Sequence, residues 1–152
     1  MRIAVDDLSG SEVAAFLAEH VAEMRSITPP ESKHALDLEG LRRPGVTFWT
    51  VTDDNGSIVG CGALKALAAG HAEVKSMRTA SARKRSGVAS LLLGHLIGEA
   101  RRMGYTRLSL ETGAAEFFAP ARALYAKFGF EPCAPFADYE PDPLSVFLTR
   151  AL

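Results

Sequence analysis

Apolar positions along this 152-residue chain change period several times, and each change marks an element. Residues 2–6 alternate well enough for a short edge strand. In SGSEVAAFLAEHVAEM, Val13, Phe16, Leu17, Val21 and Met24 recur at helical spacing and share one face. Ser9 and Glu12 have the S-x-x-E spacing of a capping box, which places the helix start there. Thr28-Pro29-Pro30 is expected to end the helix, because proline has no N–H and restricts the residue before it. Residues 31–45 read as a connector with room for one short helix, closing at Pro44-Gly45. Connectors that long are often binding loops.

The period then shortens to that of strands. VTFWTVT is rich in β-branched and aromatic residues, Asp54-Asn55-Gly56 is a hairpin turn, and SIVGCGALKAL is the return strand. HAEVKSMRT follows Ala69-Gly70 as a third strand. Residues 87–103 revert to helical spacing, with Val88, Leu91, Leu92, Leu96 and Ala100 expected on the buried face. Arg101 and Arg102 suit the helix C-terminus, and Gly104 ends it. TRLSLE alternates with Leu108 and Leu110 inward, 117–128 is a last helix stopped by Gly129, and strands at 130–136 and 144–150 flank ADYEPDP. The order is β-α-loop-β-β-β-α-β-α-β-β. A meander followed by a strand-helix-strand crossover implies a mixed sheet with helices packed on its faces. The crossover over 71–111 makes two strands parallel and opens the helix N-terminus at 87 toward the end of the sheet.

Composition narrows the function classes. At 152 residues, 47% apolar and 23% charged, the chain is expected to form one globular domain spanning 1–152. A net charge of −1 supplies no global field toward nucleic acid or membrane, so any anion site is local. Cys61 and Cys133 stand far apart, which excludes a CxxC motif and gives no disulfide framework. MRIAVDDLSG lacks the apolar core of a secretory leader, and no stretch reaches the roughly 18 apolar residues of a membrane span. The expected setting is cytoplasmic, with no membrane partner.

The chemistry concentrates in RTASARKRSGVASLLLGHL, residues 78–96. Arg83, Lys84 and Arg85 stand beside Gly87 at a helix start, where free N–H groups and the helix dipole favour an anion. Exposed basic residues that merely solubilise a turn are the plainer reading of the charges alone. The strand-loop-helix context favours the anion site. A Walker loop is absent, and GCGALK at 60–65 lacks the third glycine and following helix of a dinucleotide fingerprint.

The stretch Lys84-Arg85-Ser86-Gly87-Val88-Ala89 resembles the [Q/R]-x-x-G-x-[G/A] pyrophosphate loop of the GNAT superfamily of N-acetyltransferases, with Lys in the first position. EVKSMRT before it and LYAKFGFEP at 124–132 are similar to the family's fourth strand and to the helix that ends beside the cofactor thiol. TPPESKHALDL, GCGALK, KSMRTA, LETG and DPLSVFL together resemble the family's small YsnE-like subgroup. The resemblance implies an α/β (α+β) fold with a mixed, mostly antiparallel sheet of about six or seven strands and helices on both faces. It also implies acetyl transfer from acetyl-CoA to an amine of a small-molecule or amino-acid-like acceptor.

Under that resemblance, the pyrophosphate of acetyl-CoA meets the backbone amides of 85–90, including Ser86, Gly87, Val88, Ala89 and Ser90, with Arg83, Lys84 and Arg85 beside them. The pantetheine arm runs beside Met77, Arg78 and Thr79, where a backbone N–H at Met77 or Arg78 polarises the thioester carbonyl. Tyr125 is the candidate general acid for the thiolate; core packing is the competing reading for an aromatic between Leu124 and Phe128. An acceptor amine with a pKa of about 10 must lose a proton before attack. Glu73 is the first candidate base and Glu111 the second; alternatively each is a carboxylate paired with Lys75, Arg78 or Arg107.

His34, with Glu31 and Asp37 nearby, falls in the segment that resembles the acceptor-binding region and is a candidate substrate contact, or simply a surface histidine. Phe117, Phe118 and Pro120 either wall the pantetheine channel or pack the core. His20, His71 and His95 have no metal-binding spacing, and His95 with Glu99 reads as a helix pair, so no metal is expected. Nucleic acid is disfavoured because the basic residues form only this one loop. The rival to an enzyme is a non-catalytic acyl-CoA-binding module. Strands near the C-terminus offer an edge for a homodimer.

Overall fold

Alternation along β2 (Val46–Thr52) sends Trp49 and Val51 to one side and Phe48 to the other, and all three are buried. A strand buried on both sides needs cover on both, and the rest of the chain supplies it. The computed structural model describes residues 1–27 and 38–152. Strands β1 (Arg2–Val5), β2, β3 (Ile58–Ala68), β4 (His71–Thr79), β5 (Arg107–Gly113), β6 (Glu131–Pro132) and β7 (Ser145–Ala151) form one sheet in the order β1-β2-β3-β4-β5-β7-β6. Among the described strands only β4 and β5 pair in parallel. Helices α1 (Ser11–Ile27) and α2 (Leu38–Leu41) pack with Phe48, Cys61 and Ala63 on one face. Helix α3 (Val88–Arg102), with Tyr125 from α4 (Ala119–Lys127), packs with Trp49, Val74 and Leu110 on the other. The expected mixed, mostly antiparallel sheet with helices on both faces is present. No helix among the described residues is long and apolar enough to cross a membrane.

Local chemistry moved several expected boundaries. The Ser9–Glu12 capping box does not form. Asp7 accepts from the backbone N and Oγ of Ser9 at 2.9 and 2.6 Å, while Glu12 accepts from the backbone N of Ile58 at 3.3 Å. An aspartate two residues upstream offers Ser9 a closer partner than Glu12 does. In α3 the buried row Val88, Leu92, Leu96 and Ala100 is widened by Leu93 and Ile97, whereas Leu91 is 45% exposed. Leu91 lies about 100° beyond Leu92, on the side of the row away from Leu93 and Ile97. The strand expected over 130–136 shrinks to Glu131–Pro132, since Pro132 and Pro135 have no N–H for a ladder. At the β2–β3 turn only Gly56 takes a positive φ, 81°. Asp53 holds that turn by accepting from the backbone N–H groups of Asn55 and Ser57.

Two features place the site. Parallel pairing of β4 with β5 runs from His71↔Arg107 through Glu73↔Ser109 and stops, although both strands continue. Beyond that point β4 is bulged: its register with β3 slips between Lys75 and Arg78, and Ser76 adopts φ 56°. The strands therefore separate and leave a gap at the end of the sheet. Helix α3 follows β4 and sits close over β3, because β3 has glycine where a side chain would collide. A Cβ at Gly60 would lie 2.8 Å from the Val88 side chain and 3.2 Å from the Arg78 carbonyl; one at Gly62 would lie 3.1 Å from Leu96.

Gly60→Ala is therefore expected to destabilise the protein by about 1–3 kcal/mol through overpacking. Urea unfolding should show a lower midpoint with an unchanged m-value.

Candidate active site

The gap between the separated strands continues into a cavity of about 540 Å³. Its walls are Glu73–Thr79 of β4, Glu111–Gly113 of β5, residues 83–85 and 87–90 of the loop and helix start, Phe117, Phe118 and Tyr125 around α4, and His20, Glu23 and Met24 of α1.

One end of the cavity is formed by the loop that leads into α3. After a 3₁₀ turn at Ser81–Arg83, two residues adopt left-handed backbone, Arg85 at φ 64° and Gly87 at φ 88°. A Cβ at Gly87 would meet nothing within 4 Å, so the demand for glycine comes from its backbone angle. Gly87 caps α3 without any side-chain cap bond, which leaves the first N–H groups of the helix without side-chain partners at the cavity wall. The cations do not all crowd inward. Arg83 donates to Asp53 at 3.0 Å, and Lys84 Nζ stands 5.2 Å from the centre of the Phe117 ring.

The middle of the cavity is walled by aromatic residues. A Cβ at Gly113 would come within 2.1 Å of the Phe118 ring, so glycine at the end of β5 is what admits that ring. Arg122 pins the same corner by donating to the carbonyls of Gly113 and Ala115 at 2.7 and 2.9 Å. Tyr125 is 7% exposed, edge-on to Phe130, and lines the cavity. Burial, with the Glu111 charge beside it, pushes its hydroxyl up to about 12, so it remains a protonated donor at neutral pH.

The other end carries the carboxylates. Glu73 and Glu111 both line the cavity, on strands already separating. Glu73 is 2% exposed and accepts from Lys75 Nζ at 3.2 Å. Arg78 reaches α1, where it meets Glu19 at 3.3 Å and Glu23, itself a wall residue, at 3.7 Å and lies 5.0 Å from the Phe16 ring centre.

The profile of the acetyltransferase (GNAT) family matches residues 13–130 of the sequence, which includes every wall just described. The chain belongs to the GNAT family of acetyltransferases. It is 52% identical over 152 residues to the uncharacterized N-acetyltransferase YsnE of Bacillus subtilis, covering 100% of both chains. It is 49% identical over 150 residues to the uncharacterized N-acetyltransferase YedL of Escherichia coli, covering 99% of this chain and 94% of that one. An IAA acetyltransferase of Azospirillum brasilense is 40% identical over 125 residues, with 82% and 80% covered. Among solved structures, a candidate acyl-CoA N-acyltransferase from Klebsiella pneumoniae superposes with a TM-score of 0.81 at 28% identity, covering 99% of this chain and 97% of that one.

Against this GNAT fold, the residues singled out from sequence fall as follows. Met77, Arg78, Thr79, Arg83, Lys84, Arg85, Gly87, Val88, Ala89, Ser90, Phe118 and Tyr125 line one cavity together with Glu73 and Glu111. Ser86 does not line it; its hydroxyl donates to the Arg83 carbonyl within the loop. His34 lies outside the described residues. The anticipated His95–Glu99 pair gives way to Arg102, which donates to Glu99 at 2.7 and 2.9 Å, while His95 meets Trp49 edge-on. Among the described residues no group of three or more His, Cys, Asp or Glu could hold a metal ion.

Sequence reasoning missed His20, Glu23 and Met24 as wall residues, and Tyr139 altogether. His20 did leave a signal, since it falls four residues after Phe16 on the buried stripe of α1. Tyr139 left none. It reaches Glu73 across 66 residues of chain.

Folded Tyr125 holds its proton up to about 12, against 10.0 for an ordinary tyrosine. The stability tied to that proton is complete below pH 10.0 and is lost as pH rises toward about 12. Urea melts across that interval should show a shallower alkaline loss for Tyr125→Phe than for the wild type.

Proposed function

We propose that the cavity binds acetyl-CoA along β4 and transfers its acetyl group directly to an amine of a small-molecule or amino-acid-like acceptor. One observation carries this reading: the uncapped start of α3, the backbone of a bulged β4, a protonated Tyr125 and two carboxylates all face one cavity. The N–H groups of Val88, Ala89 and Ser90, with Lys84 and Arg85 near them, suit a pyrophosphate. Past Ser76 the unpaired edge of β4 offers Met77, Arg78 and Thr79 as backbone partners for an extended pantetheine arm. An N–H of Met77 or Arg78 stabilises the oxyanion as the acceptor nitrogen attacks the thioester carbon.

The acceptor ammonium first passes one proton to Glu73 or Glu111, directly or through water. As the C–N bond then forms and the C–S bond breaks, Tyr125 gives its proton to the departing thiolate and is reprotonated by the second proton released from the nitrogen. The Tyr125 hydroxyl is suited to that task because it is still protonated at neutral pH. The IAA acetyltransferase relative is consistent with a small acceptor.

Calorimetry with acetyl-CoA should give saturable binding to the wild type and at least about tenfold weaker binding to Lys84→Glu. No detectable binding to the wild type would overturn the reading. Tyr125→Phe should lower release of CoA thiol across an amine panel by about 10²-fold, with acetyl-CoA affinity unchanged. Binding without thiol release from any amine would instead mark a non-catalytic acyl-CoA-binding module.

A further inference from the structure

Glu73 poses a physical problem. A carboxylate that is 2% exposed must have its lone pairs occupied or pay heavily for leaving water. Its Oε2 accepts from the Tyr139 hydroxyl at 2.5 Å and from Lys75 Nζ at 3.2 Å. Lys75 also donates to the Tyr139 oxygen at 2.8 Å. An ammonium only donates, so the Tyr139 oxygen accepts from Lys75 and its own hydrogen is directed to Glu73. The three groups close a triangle on one carboxylate oxygen. The other oxygen, Oε1, has no hydrogen-bond partner among the described residues, and Glu73 lines the cavity.

Tyr139 is well placed to hold this arrangement and badly placed to react. It is absent from the cavity wall. Its ring packs edge-on to Phe136 at 5.1 Å and tilted against Phe147 at 5.4 Å, so aromatic contacts fix the ring and the place of its hydroxyl oxygen. Burial and the charges of Glu73 and Glu111 push its hydroxyl far above the usual tyrosine range, which keeps the donor in place. Among the described residues, the ionisable groups beside Glu73 or facing it in the cavity include Lys75 and His71 on β4, Glu111 on β5, and His20 and Glu23 on α1.

We propose that Tyr139 is a positioning residue that locks Oε2 of Glu73 and so presents Oε1 to the acceptor amine. This rests on Glu73 facing the acceptor. The segment between Glu131–Pro132 and β7 thereby contributes to the acceptor side of the cleft through a residue that never touches substrate.

Tyr139→Phe keeps the ring and removes only the O–H, so the fold is expected to survive. In protein labelled with ¹³C at the glutamate carboxyls, the Glu73 signal is the one missing from Glu73→Gln. At fixed pH and without acceptor, that signal should move and broaden in Tyr139→Phe; an unmoved signal overturns the positioning role. With acetyl-CoA and a panel of n-butylamine, tryptamine, L-lysine and spermidine, Tyr139→Phe should lower kcat/KM for the amine about tenfold to a hundredfold. Acetyl-CoA affinity should be unchanged, and Tyr139→Phe should cost nothing further in the Glu73→Gln background. A full additional loss in that background overturns the proposal. Wild-type turnover by Glu73→Gln overturns the assignment of Glu73 to the acceptor and this proposal with it, whether or not the carboxyl signal moves.

Discussion

Everything at the functional end of this protein depends on where the parallel pairing of β4 and β5 stops. Up to Glu73↔Ser109 the two strands are ordinary neighbours in a sheet. One residue pair later their backbone groups lose one another, and an N–H or C=O without a partner must find another or face water. That unmet pairing gives β4 an edge in the interior of the sheet order, rather than at its margin. A bulge at Ser76, held at φ 56°, deepens the separation and re-aims the residues after it. Natural sheets hide their edges. Here an edge is kept open inside a cavity, where only a molecule of suitable shape can reach it.

The cavity is also polarised along its length. Helix α3 delivers the positive end of its dipole at one extreme, and carboxylates from β4 and β5 stand at the other. Between them lie Phe117, Phe118 and Tyr125. That separation suits the proposed reaction, in which one substrate is anionic at its handle and the other is a protonated amine. Arg78 could have spoiled the gradient from the middle of β4. Its pairing with Glu19 and Glu23 of α1 sets two carboxylates against its charge.

Local patterns in the sequence were enough for the element order, the parallel crossover and the cavity's cationic end. Those rest on features that act over a few residues: β-branched runs, helical spacing, a glycine that must take positive φ. What stayed hidden depends on which of several nearby partners a side chain chooses, or on partners far apart in the chain. Asp7 took Ser9 away from its expected capping role, and Arg102 took Glu99 from His95. Leu91 looked apolar enough to bury, but the face of α3 was decided by which side of its leucine row met β3. Tyr139 stood in a turn-rich stretch where an aromatic residue carries no periodic signal, and only the folded chain brings it to Glu73. GCGALK lies within β3 and not in a loop, and its glycines have a use that no motif states.

That use concerns distance. Helix α3 rests at a height above the sheet set by hydrogen atoms at Gly60 and Gly62, where other positions of the strand carry carbon. The same contact at Gly60 involves the carbonyl of Arg78, so the height of the helix and the line of β4 are gauged from one point. The span from the helix start to the reacting end of the cavity is thus a ruler cut into β3, a strand that lines no part of the cavity. Lengthening that ruler by one methyl group would leave the residues of the cavity wall unchanged and alter the spacing between them.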